Sequence, residues 1–257
     1  MLKINVLLAL MIIVSFLGAI ALHESGHAMA ATWLGDPTPR AEGRQTLRIG
    51  PHIDALGLLL CIFLAFSPNV PPVSTPAGLG WGKPVKPDPW KLRTGPNTGV
   101  LLVALAGPIF SLFIGLLTAF IAHFAAPFLA TNFLTERVLQ LLIVFASINV
   151  SLALFNILPL YPLDGYQILY TLLPGRRAVQ FSRSAPYGPF IVLFLFFILP
   201  FLTAFALPLS GGAVAGSANF LQIILNMPTT IANWSLAILS LIFDNAGGHS
   251  IMYFYTL

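Results

Sequence analysis

Thirty consecutive positions, 4 to 33, hold no Lys, Arg or Asp and a single Glu, Glu24. A helix of that length reaches about 45 Å, more than the roughly 30 Å of a bilayer's hydrocarbon core. Further apolar spans can be drawn at 98–124, 136–158, 187–208 and 218–243. Only 8% of the residues are charged and 57% are hydrophobic, whereas a soluble domain carries about 25% charged residues. The sequence therefore predicts an all-α polytopic membrane protein with about five to six transmembrane helices. The first span resembles a signal peptide, with Lys3 ahead of it and Ala19 and Ala21 inside it. It is read as a retained helix, because cleavage there would detach the chain just before its most informative motif.

Basic residues orient the spans. Arg40, Arg44 and Arg48 follow the first one; Lys83, Lys86, Lys91 and Arg93 precede the next; Arg176, Arg177 and Arg183 follow 136–158. The positive-inside rule puts all three loops in the cytoplasm. The short apolar run Ala55 to Phe66 between two of them then dips in and returns, and the Pro-rich run Pro68 to Pro76 agrees with a re-entrant element. The alternative, a short true span, puts one basic loop on the wrong side. The amino terminus is expected outside and the carboxyl terminus inside. A net charge of +4 is thereby accounted for by topology and not by nucleic acid, and a lone Cys61 excludes a disulfide framework.

Within the first span lies His23-Glu24-Ser25-Gly26-His27, an H-E-x-x-H zinc signature. Residues four apart share a helix face, so both imidazoles can reach one metal ion, and Glu24 beside them can take a proton from a water that the metal activates. Three fixed residues recur by chance in soluble helices. Inside hydrocarbon, however, ionisable side chains cost on the order of several kcal/mol, and a metal would compensate them. With 8 acids in 257 residues, a Glu between two His at this spacing makes an intramembrane metalloprotease the leading reading.

A catalytic zinc takes three protein ligands and leaves a fourth position open. Asp164 is the best third candidate. It follows Pro159 and Pro162, which break a helix and expose backbone, and precedes Gly165, which permits close approach. Read alone, Asp164 could simply cap a short helix over Tyr166 to Leu173. Glu136 and Asp244 compete poorly, and His52 and Asp54 compete better. His52 and Asp54 read either as partners behind a ligand or as a local pair anchoring a turn, the latter preferred. His123 and His249 read as interfacial.

Several blocks together resemble the site-2 protease family, in the small group without a PDZ or CBS domain. They are His23 to Ala28, Leu34-Gly35-Asp36-Pro37-Thr38-Pro39-Arg40, Pro51-His52-Ile53-Asp54-Ala55-Leu56-Gly57, Gly80-Trp81-Gly82-Lys83-Pro84-Val85, Ala106-Gly107-Pro108, and Phe155-Asn156 through Asp164-Gly165. They run in the family's order across about the first 175 residues. The resemblance implies one zinc per chain bound by His23, His27 and Asp164, Glu24 as base, and Asn156 steadying the substrate or its oxyanion. Three positions depart from the pattern: Ser111 where Asn is common, Tyr161 where Pro is common, and an apparent insertion at 67–79.

The expected function is hydrolysis of peptide bonds in transmembrane or membrane-anchored substrates, in a prokaryotic inner membrane with the active site nearer the cytoplasm. Residues 1–175 would form the catalytic core and 176–257 a C-terminal pair of helices that serves as gate or partner surface. The segment Trp81 to Pro87 reads as extended, because each Pro disfavours helix in itself and in the residue before it, and could add a strand to an unwound substrate. Beyond the peptide substrate and membrane lipid, a second copy or a regulatory membrane partner is left open. The alternative is a transporter or ion-conducting protein using the same His, Glu and Asp; no internal repeat supports it. A proteolytically dead zinc-binding scaffold is argued against by the intact Glu24.

Overall fold

The computed structural model describes residues 5–66, 78–202, 227–243 and 251. Its frame is three long helices: α1 (Val6–Trp33), α4 (Pro96–Leu129) and α5 (Phe133–Asn156). Asn5 starts α1, its Oδ1 accepting the Leu8 N–H at 3.0 Å, and Asn132 starts α5 in the same way through Thr135. Pro96 stands in the first turn of α4, where its missing N–H costs nothing. Leu8, Ile12, Phe16 and Ile20 of α1 pack with Ala119, Ala122 and Ala126 of α4 and with Leu139, Ile143 and Val150 of α5. The small residues let α4 lie close to its neighbours, as membrane helices require when lipid is as apolar as their side chains. Val6, Leu7, Leu10 and Val14 stay exposed on α1, the lipid-facing side of a helix that is apolar all round.

Shorter elements fill in around this frame: α2 (Thr38–Ala41), α3 (Ala55–Ala65), α6 (Asp164–Leu172), α7 (Gly175–Ser182), α8 (Gly188–Leu193, continued through a π-type turn) and α9 (Met227–Phe243). Among the described residues, four helical stretches are long and apolar enough to cross a membrane: Val6–Trp33, Pro96–Leu129, Phe133–Asn156 and Gly175–Leu202. The protein is thus an all-helical polytopic membrane protein. The fourth stretch begins a dozen residues before the expected 187, because α7 and the turn after it lead into α8. Helix α9 packs on α4 and α5, with Ser147 and Ser235 hydroxyls 2.9 Å apart; the front of the expected span at 218 lies outside the described residues. So do the whole Pro68 to Pro76 run and most of the apparent insertion, along with Lys3, Asp244 and His249.

Within the run Ala55 to Phe66, α3 (Ala55–Ala65) is capped by Asp54 through the Leu56 and Gly57 N–H groups at 3.0 Å. Its 11 residues rise only about 16 Å, half the hydrocarbon thickness. The segment after residue 78 is extended, as expected from its prolines. Gly82 pairs antiparallel with Ile53, and the Lys83 N–H donates to the His52 carbonyl at 2.8 Å. Two side chains clamp this segment. Arg44, buried, donates to the Pro51 and Lys83 carbonyls. At the far end, Asp36 accepts the Asp88 N–H at 2.7 Å and the Thr38 N–H at 2.9 Å.

Burial opposes the charge on Asp36, but the Thr38 hydroxyl and N–H, the Asp88 N–H and nearby Lys91 hold its carboxyl below the usual range. A carboxylate depressed on folding adds stability above its unfolded pKa of about 3.9, lost as pH falls through the folded value. Asp36→Asn should therefore lower the melting temperature of the detergent-solubilised protein at pH 7. The gap to wild type should close in strong acid, and a gap that persists there would mean that Asp36 acts without its charge.

Candidate metal centre

His23 and His27 sit one turn apart on α1, both buried against α4. Each ring is oriented from behind. His27 Nδ1 donates to the Val103 carbonyl at 2.7 Å, which leaves Nε2 as the nitrogen with a free lone pair. His23 Nδ1 lies 2.9 Å from Ser111 Oγ, and the Gly107 carbonyl is a further acceptor for that ring. The two Nε2 atoms face each other at 3.2 Å. Asp164 completes the group: Oδ2 is 2.9 Å from His23 Nε2, and Oδ1 is 3.2 Å from His27 Nε2.

Asp164 arrives there because α5 stops at Asn156 and the chain turns through Pro159 and Pro162 before α6 begins. Gly165 lies so close to the Ile157 carbonyl that a Cβ would overlap it, which draws the start of α6 onto the end of α5. Asp164 is the first residue of α6, and Leu163, not Asp164, occupies the cap position. The helix-cap reading is therefore not what the fold uses; the carboxylate is turned toward the imidazoles.

These three ligand atoms lie within 4.8 Å of one another, and among the described residues no other group of His, Cys, Asp and Glu is gathered in this way. Two donors each about 2.1 Å from a tetrahedral zinc lie roughly 3.4 Å apart, close to the spacings found here. Two lone pairs and a carboxylate converging in a buried site are the donor set of a metal centre. Gly107 leaves the room: a Cβ there would strike His27 Nε2 and stand 2.8 Å from His23 Nε2. The residues present fit a zinc ion.

Glu24 is buried beside the cluster. The Val85 N–H donates to its carboxylate, the Arg44 charge acts on it, and its Oε2 has no hydrogen-bond partner. The sequence marks Arg44 only as a basic loop residue and Ser111 only as a departure from the family pattern; their roles depend on chain-distant approaches of 39 and 88 residues that no local pattern encodes. Asn156 ends α5, and its Nδ2 donates to the Leu152 carbonyl at 2.9 Å, so the fold does not hydrogen-bond it to the cluster. His52 and Asp54 do not pair with each other. His52 Nε2 donates to the Thr46 carbonyl at 2.7 Å while Asp54 caps α3. Burial and the Arg44 charge hold His52 below its usual pKa despite the Thr46 bond. His123 stacks edge-on with Phe124 and Phe243, away from the site.

Comparison with known proteins bears on the family of the chain. The family model described as peptidase family M50 matches residues 125–200. A protein of Bacillus subtilis (strain 168) named "Putative zinc metalloprotease YwhC" is 33% identical over 196 residues, covering 75% of this chain and 80% of that protein. No solved structure matches.

Gly107→Ala should reduce zinc per chain well below that of wild type with the helical content retained, measured by metal analysis and circular dichroism. Undiminished zinc would show that the metal sits elsewhere than between the two Nε2 atoms.

Proposed function

The chain belongs to peptidase family M50, the site-2 proteases, and from that premise we propose that it cleaves membrane-anchored peptides within or near the bilayer, with His23, His27 and Asp164 binding one zinc and Glu24 acting as base. It is an integral membrane zinc metallopeptidase; the substrate class and the residue roles are the proposal. The convergence of three ligand atoms from α1 and α6 beside a buried carboxylate is the observation that carries it. The basic loops around the cluster favour a site nearer the cytoplasmic face of a prokaryotic inner membrane. The transporter alternative has no finding in its favour.

Zinc, when bound, supplies Lewis-acid polarisation of the scissile carbonyl and a more acidic water. The chain's own groups do the rest. Val103 and Ser111 hold the imidazoles in the orientation that presents Nε2. Glu24, steadied on one side by the Val85 N–H, takes the proton of the attacking water and passes it to the leaving amine nitrogen. Its unpartnered Oε2 is the oxygen free to do so. Asn156 Nδ2 gives one of its two hydrogens to the Leu152 carbonyl, and the other would be its donor to the oxyanion.

The extended segment from 80 to 88 forms a wall of the cleft and supports strand addition by an unwound substrate. Pro84 and Pro87 have no N–H and Val85 gives its own to Glu24, so Lys86 carries the donor left for a substrate carbonyl. Lys86→Pro should then cut turnover severalfold with zinc unchanged. Equal turnover would remove the strand-addition reading.

The main test is zinc per chain and cleavage of a single-span membrane peptide by detergent-purified protein. Wild type and Glu24→Gln should each hold about one zinc, Asp164→Ala should lose it, and Glu24→Gln should lose at least ~10²-fold in rate. Zinc retained in Asp164→Ala would sink the ligand set. Cleavage surviving in Glu24→Gln would sink the base assignment.

A further inference from the structure

A cavity of about 260 Å³ opens directly beside His27 and Asp164, and the proton transfers above make no use of it. Three separate elements wall it. Val100 and Ala104 come from α4, one turn apart and so on one face; Pro84 and Pro87 come from the extended segment; Tyr161 comes from the broken stretch before Asp164 and Tyr166 from the first turn of α6.

These walls carry contacts of their own. Tyr161 and Tyr166 meet edge to face, with centroids 5.6 Å apart and planes at 83°, and Tyr166 is stacked on Phe181 at 4.7 Å. The prolines are stiff and offer no N–H. Val100 and Ala104 are buried, at 7% and 6% exposure. The lining is therefore mainly apolar, with an aromatic corner, and the polar side chains on it besides the ligands and the tyrosine hydroxyls are Lys86 and Gln167.

Size decides what such a space accepts. A dry apolar cavity of about 150 Å³ takes up benzene. A space of 260 Å³ admits an aromatic ring or a long aliphatic chain, which gains dispersion contacts and an edge-to-face partner there. A methyl group would leave most of it unfilled.

We propose that this cavity is a specificity pocket that receives a large apolar or aromatic side chain of the substrate next to the scissile bond. The inference rests on the protease reading above. Its position fits: a residue whose carbonyl lies at the His27–Asp164 cluster has its neighbours within one residue's reach of the cavity mouth.

The test uses a library of single-span membrane peptides with a randomised window, cut by the full-length zinc-loaded protein and read by mass spectrometry. At one of the two positions flanking the cut, Phe, Leu or Met should be favoured over Ala by roughly 10-fold or more, the scale set by filling an apolar pocket. Ala104→Phe, which fills the cavity, should abolish or invert that preference. Val100→Ala, which enlarges it and does not depend on tolerating a larger residue, should move the preference toward Trp. Zinc per chain should be unchanged in both. No size preference at either position, a preference for acidic residues that would point to Lys86, or a preference untouched by both variants would overturn the pocket. A zinc-loaded wild type that cuts no member of the library would overturn the protease reading and the pocket with it, and is distinguished by the absence of any product.

Discussion

Two imidazole nitrogens held 3.2 Å apart in a membrane-spanning helix, with a carboxylate across them, set the conditions for the rest of this structure. Such a group is unfavourable in hydrocarbon unless its charges and lone pairs have a common partner. Helix α1 supplies only the spacing. Helix α4 supplies the acceptors that fix both rings, and it supplies Gly107, where the missing side chain keeps both Nε2 atoms accessible. The Asp164 carboxylate comes from 141 residues beyond His23, carried inward by a helix break that would be costly facing lipid but is tolerable where it lines a protein cleft.

The opposite wall of the cleft obeys a related constraint. An extended backbone packed against apolar helices must satisfy its polar groups inside the protein. Here this is done at the ends: Arg44 takes the carbonyls of Pro51 and Lys83, and Asp36 takes the N–H of Asp88. Burial, His27 and Asp164 act more strongly on Glu24, and Arg44 adds a positive charge to them, so the side chain that stiffens the wall also reaches the carboxylate. Because Val85 bonds to Glu24 through its N–H, any displacement of the wall is felt at that carboxylate directly.

Much of this was legible in the sequence because it is local. Helical spacing places His23 and His27 together, prolines break the chain before Asp164, and the proline-rich run after Trp81 excludes helix there. The fold class followed from the apolar spans, whose ends moved by a few residues in α4 and by more at Gly175, where an amphipathic helix precedes the apolar one. What was not legible is what depends on tertiary approach. Nothing around Arg44 distinguishes it from Arg40 or Arg48, and nothing around Ser111 announces an imidazole 88 residues away. For Asn156 the resemblance implies a role on the substrate, and the fold fixes its amide at the end of α5 through one bond to the Leu152 carbonyl.

An unpaired backbone edge is a liability in any protein and a larger one beside lipid. The stretch from Pro84 to Pro87 lowers that cost by removing donors: two of its four residues have no N–H and a third has given its own to Glu24. What remains is an edge dominated by carbonyl acceptors, with Lys86 as its donor. A peptide helix that enters the cleft has to give up its own hydrogen bonds before a scissile carbonyl can reach the metal cluster, and its freed N–H groups then need acceptors. If an unwound substrate adds to this wall as proposed, its freed N–H groups would find carbonyl acceptors there and one of its carbonyls the Lys86 N–H. Holding an irregular backbone and accepting an opened helix would then fall to the same four residues.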